Sequence, residues 1–181
     1  LMAGNIQKTK IKIAIIAGEL SGDELGAPLM HSIKAINPSI EFIGVGGPKM
    51  ISEGLDTCFN INEISVMGII EPLLNLRRLL KLRKQLKEYI IKEKPDLFIG
   101  IDSPDFNLPI AKFLKKNTGI KAIQYVSPSV WAWRKGRIKS MENSIDSVLT
   151  LFPFEESAYL GSKIKVSYVG HPLSYKIKMS G

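Results

Sequence analysis

The chain reads as an α/β protein, a Rossmann-like parallel sheet with helices on both faces. Three observations predict it. Short apolar runs alternate with amphipathic stretches along the whole length; those runs are rich in Ile, Val, Leu or Phe; and glycine-containing turns follow the first two of them. Strands covered on both faces need such unbroken apolar character, which places strands at Ile11–Ala17, Glu41–Val45, Leu97–Ile101, Lys121–Val126, Ser147–Leu151 and Lys165–Val169. Helices are expected between them, at Asp23–Ile36, Lys49–Gly54, Pro72–Lys94, Leu108–Asn117, Lys135–Ser144 and Phe154–Tyr159. Right-handed crossovers then make a doubly wound sheet whose ligands sit beyond the carboxyl ends of the strands. Residues 1–10 have scattered polar residues and no apolar run and are expected to form a flexible leader; residues 11–173 make one domain and 174–181 a short tail.

Composition narrows the function classes. Apolar residues make up 45% and charged residues 23% of the 181, as in an ordinary globular protein. Cys58 is the sole cysteine, which excludes a disulfide framework within the chain and fits a reducing, cytoplasmic compartment. Nowhere is there a run of about 18 apolar residues, so no spanning helix is expected, whereas a helix lying in a membrane surface stays open. The net charge of +8 suits nucleic acid, anionic lipid or a phosphorylated small molecule. No helix-turn-helix, RRM, KH or zinc pattern occurs, and nucleic acid is set aside.

The segments after the strands carry the chemistry. Gly18-Glu19-Leu20-Ser21-Gly22-Asp23 follows the first strand, and its glycines let backbone amides approach a phosphate or sugar hydroxyls at the mouth of a helix. It lacks the Gly-Lys-Ser/Thr of a P-loop and the spacing of a dinucleotide fingerprint, and a plain strand-to-helix turn stays open. The second glycine turn, Gly44-Val45-Gly46-Gly47-Pro48, presents no carboxylate for a ribose, which argues against a nicotinamide enzyme. Asp102 and Asp105 follow the strand Leu97–Ile101, before Asn107, which is read as a helix cap; one of them can serve as a general base, or Asp105 can simply support the turn. They do not form an Asp-x-Asp pair, and His31 and His171 are the only imidazoles, so neither a metal nor a cofactor is expected. Ser127, Trp131 and Arg134 lie in Tyr125–Arg134, where the rings of Trp131 and Trp133 can stack on a sugar or plug the sheet edge and Arg134 is available to a phosphate. His171, in Gly170-His171-Pro172, ends the last strand.

Taken in order and spacing, Ala17–Asp23, Gly46-Gly47-Pro48-Lys49-Met50, Val66-Met67-Gly68-Ile69, Ile99–Asn107, Tyr125–Arg134 and Gly170-His171-Pro172 resemble the lipid-A-disaccharide synthase family from Lys12 to about Leu173. The resemblance implies the amino-terminal, acceptor-binding domain of a two-domain GT-B glycosyltransferase. That family of hexosyltransferases joins UDP-2,3-diacylglucosamine to 2,3-diacylglucosamine 1-phosphate, forming a β(1→6) bond with inversion and releasing UDP. It implies Asp102 as the base, with Gly18, Glu19, Ser21, Gly22, Asp23, Met67, Asp105, Asn107, Ser127, Trp131, Arg134 and His171 around the substrate. The donor-binding domain is expected to be absent after Leu173, leaving an incomplete half that folds without transferring sugar. A sugar-nucleotide epimerase and a non-catalytic lipid- or nucleotide-binding module are the alternatives, and a homo-oligomer is left open.

The segment Val66–Lys84 adds a membrane expectation. Leu79, Leu82, Leu86 and Ile90 recur at helical spacing and are assigned to the sheet. Ahead of them Ile69, Ile70, Leu73, Leu74 and Leu76 leave few polar positions, and Arg77, Arg78, Lys81, Arg83 and Lys84 follow. Apolar residues beside a basic cluster are the pattern of an interfacial helix, so Ile69, Ile70, Leu73, Leu76, Arg77 and Arg78 are expected to attach the protein to the anionic inner face of the cytoplasmic membrane.

Overall fold

The computed structural model describes residues 10–62, 76–128, 135–172 and 174. In chain order these form β1 (Lys12–Ala17), α1 (Leu20–Ile36), β2 (Glu41–Val45), α2 (Pro48–Ser52), β3 (Leu55–Thr57), α3 (Leu76–Glu93), β4 (Leu97–Ile101), α4 (Pro104–Thr118), β5 (Lys121–Tyr125), α5 (Lys135–Met141), β6 (Ser147–Thr150), a 3-10 helix (Pro153–Tyr159) and β7 (Lys165–Tyr168). The strands make one parallel sheet in the order β3-β2-β1-β4-β5-β6-β7.

Successive side chains of a strand point to opposite faces, and here both faces are covered. Ala14 and Ile16 of β1 pack with Leu82, Leu86 and Ile90 of α3 and Ile110 and Leu114 of α4. Ile13, Ile15 and Ala17 pack on the other face with Ala27 and Met30 of α1 and Met50 of α2. This two-sided burial is why the strands are continuously apolar rather than alternating. Leu82, Leu86 and Ile90 are each at most 4% exposed, and burying each such side chain contributes about 1.5–3 kcal/mol.

Three differences from the sequence reading have physical causes. β3 is an edge strand of three residues, Leu-Asp-Thr, too short and polar to show a period, and it raises the strands to seven among the described residues. α1 begins at Leu20 rather than Asp23, because the carbonyl of Glu19 already accepts from the amides of Gly22 and Asp23 without a side-chain cap. α4 begins at Pro104 rather than Leu108: Ser103, not Asn107, is the cap, its carbonyl accepting from Phe106 and Asn107. The expected leader and tail lie almost entirely outside the described residues.

Candidate active site at the sheet's switch point

The chain runs outward from β1 to β2 and β3, then returns to the other side of β1 as β4. A crevice opens at the carboxyl ends of strands where the winding reverses. Register pairs Ala17 of β1 with Ile101 of β4, so the residues that follow each strand stand side by side at that crevice. There Ser21 Oγ donates to Asp102 Oδ2 at 3.5 Å, and both side chains reach solvent.

Asp102 is held by its backbone. Its φ is +49° and that of Ser103 +34°, left-handed values that side chains other than Gly, Asn or Asp rarely adopt. Such strain persists only where surrounding contacts over-determine it. Here the Asp102 amide donates to the Tyr125 carbonyl at 2.9 Å. The Asp102 carbonyl accepts from Asn107 Nδ2 at 2.9 Å and Gln124 Nε2 at 2.8 Å. Both amide side chains are buried, at 0% and 1% exposure, and Asn107 also donates to the Ile101 carbonyl at 3.1 Å. Gly100 leaves the space for them, since a Cβ there would lie 2.7 Å from Asn107 Cβ and 3.0 Å from Gln124 Oε1. The clamp leaves the Asp102 carboxylate itself uncommitted to backbone donors among the described residues.

The opposite wall uses its carboxylate differently. Asp23 is 3% exposed; its Oδ1 accepts from the amides of Gly47 at 3.0 Å and Met50 at 2.9 Å, and its Oδ2 from Lys49 at 3.1 Å. It ties α1 to the second glycine turn and the start of α2. A Cβ on Gly47 would stand 2.5 Å from Asp23 Oδ2, so glycine permits this close approach. Asp23, expected around the substrate, is placed by the structure as a buried bracket inside the wall.

Comparison with known proteins gives the family. The family model described as Lipid-A-disaccharide synthetase matches residues 13–181. The chain belongs to the lipid-A-disaccharide synthetase family. It is 53% identical over 168 residues to the lipid-A-disaccharide synthase of Idiomarina loihiensis, covering 93% of this chain and 44% of that protein. It is 52% identical to the enzyme of that name from Pseudomonas fluorescens, covering 93% and 45%, and 47% identical to that from Methylobacillus flagellatus, covering 92% and 44%. The chain thus spans less than half the length of these relatives. Among solved structures, MurG of Acinetobacter baumannii superimposes with a TM-score of 0.54 at 12% identity, over 90% of this chain and 46% of that one. A glycosyltransferase from Rickettsia africae does so with 0.54 at 18%, over 95% and 49%. These likenesses show the fold alone, the parallel α/β sheet expected of one GT-B domain.

Within this member of the lipid-A-disaccharide synthetase family, the remaining candidates divide between crevice and interior. Glu19 is exposed beside Ser21, whereas Gly18 and Gly22 are buried under the turn, Gly22 against Ala17. Asp105, in the first turn of α4, meets Arg137 Nη2 through Oδ1 at 2.5 Å and is 92% exposed. Asn107 points inward, as described. Ser127 is buried, its Oγ 2.7 Å from the Tyr159 hydroxyl, so it joins the segment after β5 to the 3-10 helix. His171 is half-buried, and its carbonyl accepts from Ser174 at 2.9 Å. Met67, Trp131, Arg134, Ile69, Ile70 and Leu73 lie outside the described residues. Leu76, Arg77 and Arg78 open α3 and are exposed, as is Leu80. Sequence reading missed Gln124 and Gly100. A glycine inside a strand and a glutamine inside an apolar strand were the available signals.

Proposed function

We propose that this chain is the acceptor-binding portion of an inverting glycosyltransferase of lipid A biosynthesis, which joins UDP-2,3-diacylglucosamine to 2,3-diacylglucosamine 1-phosphate and releases UDP. The observation that carries the reading is Asp102: a carboxylate at the switch point, fixed through a left-handed backbone by two buried amides and left open toward solvent. In this mechanism the acceptor's 6-hydroxyl approaches Asp102, which takes its proton as the oxygen attacks the anomeric carbon and the bond to UDP breaks. Ser21 steadies the carboxylate, and Glu19 lies within the same crevice rim. Fixing the base in advance removes an orientational cost from the reacting state. The donor's diphosphate is assigned to the part of the relatives' length that this chain does not span.

Family membership supports the substrate class, and the exposed start of α3 supports peripheral attachment to an anionic membrane surface on the cytoplasmic side. Leu76 and Leu80 are 47% and 51% exposed, and Arg77 and Arg78 stand among them. Among the described residues no helix is long and apolar enough to cross a membrane. In an active full-length protein, Asp102→Asn is expected to lower turnover by about two to four orders of magnitude, measured as UDP release with both lipids. Wild-type turnover by a folded variant sinks the assignment.

A further inference from the structure

Around Asp105, three residues beyond Asp102 along the chain, the cations Arg83, Lys84, Lys87 and Arg137 outnumber the carboxylates Asp105 and Glu88. Arg83 of α3 donates through Nη2 to the Asp105 carbonyl at 2.6 Å and lies 5.4 Å from the Phe106 ring centre, and its Nε is buried with no hydrogen-bond partner. Arg137 of α5 reaches the Asp105 carboxylate from another element; its side chain is 21% exposed, whereas that carboxylate is 92% exposed. Lys87 lies 4.8 Å from the Phe113 ring. Burial lowers the Arg83 pKa from its usual value, with Asp105 opposing; burial and then repulsion from Arg83 lower that of Lys87. A groove of about 380 Å³ begins at Arg83 between α3 and α4, with Leu80, Pro109 and Phe113 as its apolar lining, Lys84 and Lys87 as further cations, and Glu88 as a carboxylate 3.9 Å from Lys84.

We propose that Arg83 and Arg137 form a binding site for a phosphate monoester carried on an acylated sugar, with the hydrocarbon portion entering the α3–α4 groove. Guanidinium groups present planar pairs of N–H donors that match phosphate oxygens, and they hold such anions best where water is partly excluded. The solvent-exposed Asp105 carboxylate is a counterion that an incoming phosphate displaces from Arg137, and Arg83 brings the terminal guanidinium N–H groups that its bond to the Asp105 carbonyl leaves over. The assignment of this phosphate to the acceptor's 1-phosphate rests on the reading given under Proposed function. It puts the two ends of one hexose at neighbouring groups, the hydroxyl at Asp102 and the phosphate at the arginines.

The test is a titration of the 181-residue chain at constant ionic strength with glucosamine 1-phosphate, inorganic phosphate, glucosamine and UDP. It follows the arginine Nε–Hε nuclear magnetic resonance signals and yields a Kd for each probe. Glucosamine 1-phosphate is expected to saturate and to shift Arg83 and Arg137, inorganic phosphate to bind the same groups more weakly, and glucosamine to leave them unmoved. Arg137→Gln is expected to weaken binding about tenfold or more, and Asp105→Asn to tighten it by removing the competing carboxylate. A purely structural Arg137–Asp105 bridge predicts no such gain. Absence of saturation, insensitivity to both substitutions, or stronger engagement of these arginines by UDP overturns the proposal. Should Arg83→Gln fail to fold, Arg137→Gln and Asp105→Asn still decide it. The catalytic reading is tested by turnover of Asp102→Asn in an active full-length protein and the phosphate site by these Kd values, so failure of the one and failure of the other are read separately.

Discussion

The two walls of the crevice each place an aspartate near the end of a central strand, and the two residues have opposite fates. Asp23 beside β1 is buried and accepts from three backbone amides, whereas Asp102 after β4 keeps its carboxylate toward solvent while its main chain is held by Asn107 and Gln124. An acid at a strand end is therefore not in itself a sign of chemistry. What decides is whether local N–H donors absorb the carboxylate or the carbonyl behind it.

The largest expected effect that breaks this contrast is on stability. Asp23→Ala orphans three amides and should cost about 3–5 kcal/mol in urea unfolding; a loss under about 1 kcal/mol would show that the bracket is dispensable. Gly47→Ala, whose Cβ would press on Asp23 Oδ2, is expected to cost about 1–3 kcal/mol by the same measurement. On the other wall, Gln124→Leu is near in size but removes a donor from the Asp102 carbonyl. In an active full-length protein we expect kcat to fall roughly tenfold, about 1.4 kcal/mol of barrier, with KM little changed. An equal rise in KM would instead mean that Gln124 serves binding.

The smallest effect lies away from the crevice, at Asp146. Burial opposes its ionisation, but Lys115 at 2.9 Å, the Ala122 amide at 2.9 Å and Lys121 at 3.5 Å outweigh it and hold its pKa below the usual value. A depressed folded-state pKa contributes stability above the unfolded value, near pH 3.9, and that contribution is lost as pH falls through the folded value. Asp146→Asn should therefore cost about 1 kcal/mol at neutral pH and nothing in strong acid, judged from unfolding midpoints across pH.

How far the sequence disclosed this depended on the range of the interaction. β2 and β4 fall at the expected Glu41–Val45 and Leu97–Ile101, because a strand covered on both faces records its burial in every residue. The placement of Asp102 at a strand end was equally legible. Its left-handed conformation was not, since neither Asp102 nor Ser103 is glycine and the cause lies in Asn107 and, 22 positions away, Gln124. The same conformation starts α4 four residues earlier than the apolar pattern does. Asp23 looked like a ligand group for a related reason: its three donors come from a turn more than 20 residues on, which only the fold brings near.

The central claim is that one aspartate performs chemistry and the other holds the wall, and asparagine at each position in an active full-length protein tests it most directly, with turnover and urea unfolding measured on the same samples. The account predicts that Asp102→Asn loses about two to four orders of magnitude in turnover with its unfolding midpoint nearly unchanged, while Asp23→Asn is destabilised and its folded fraction remains active. Turnover retained in Asp102→Asn, or abolished in a stable Asp23→Asn, would contradict it.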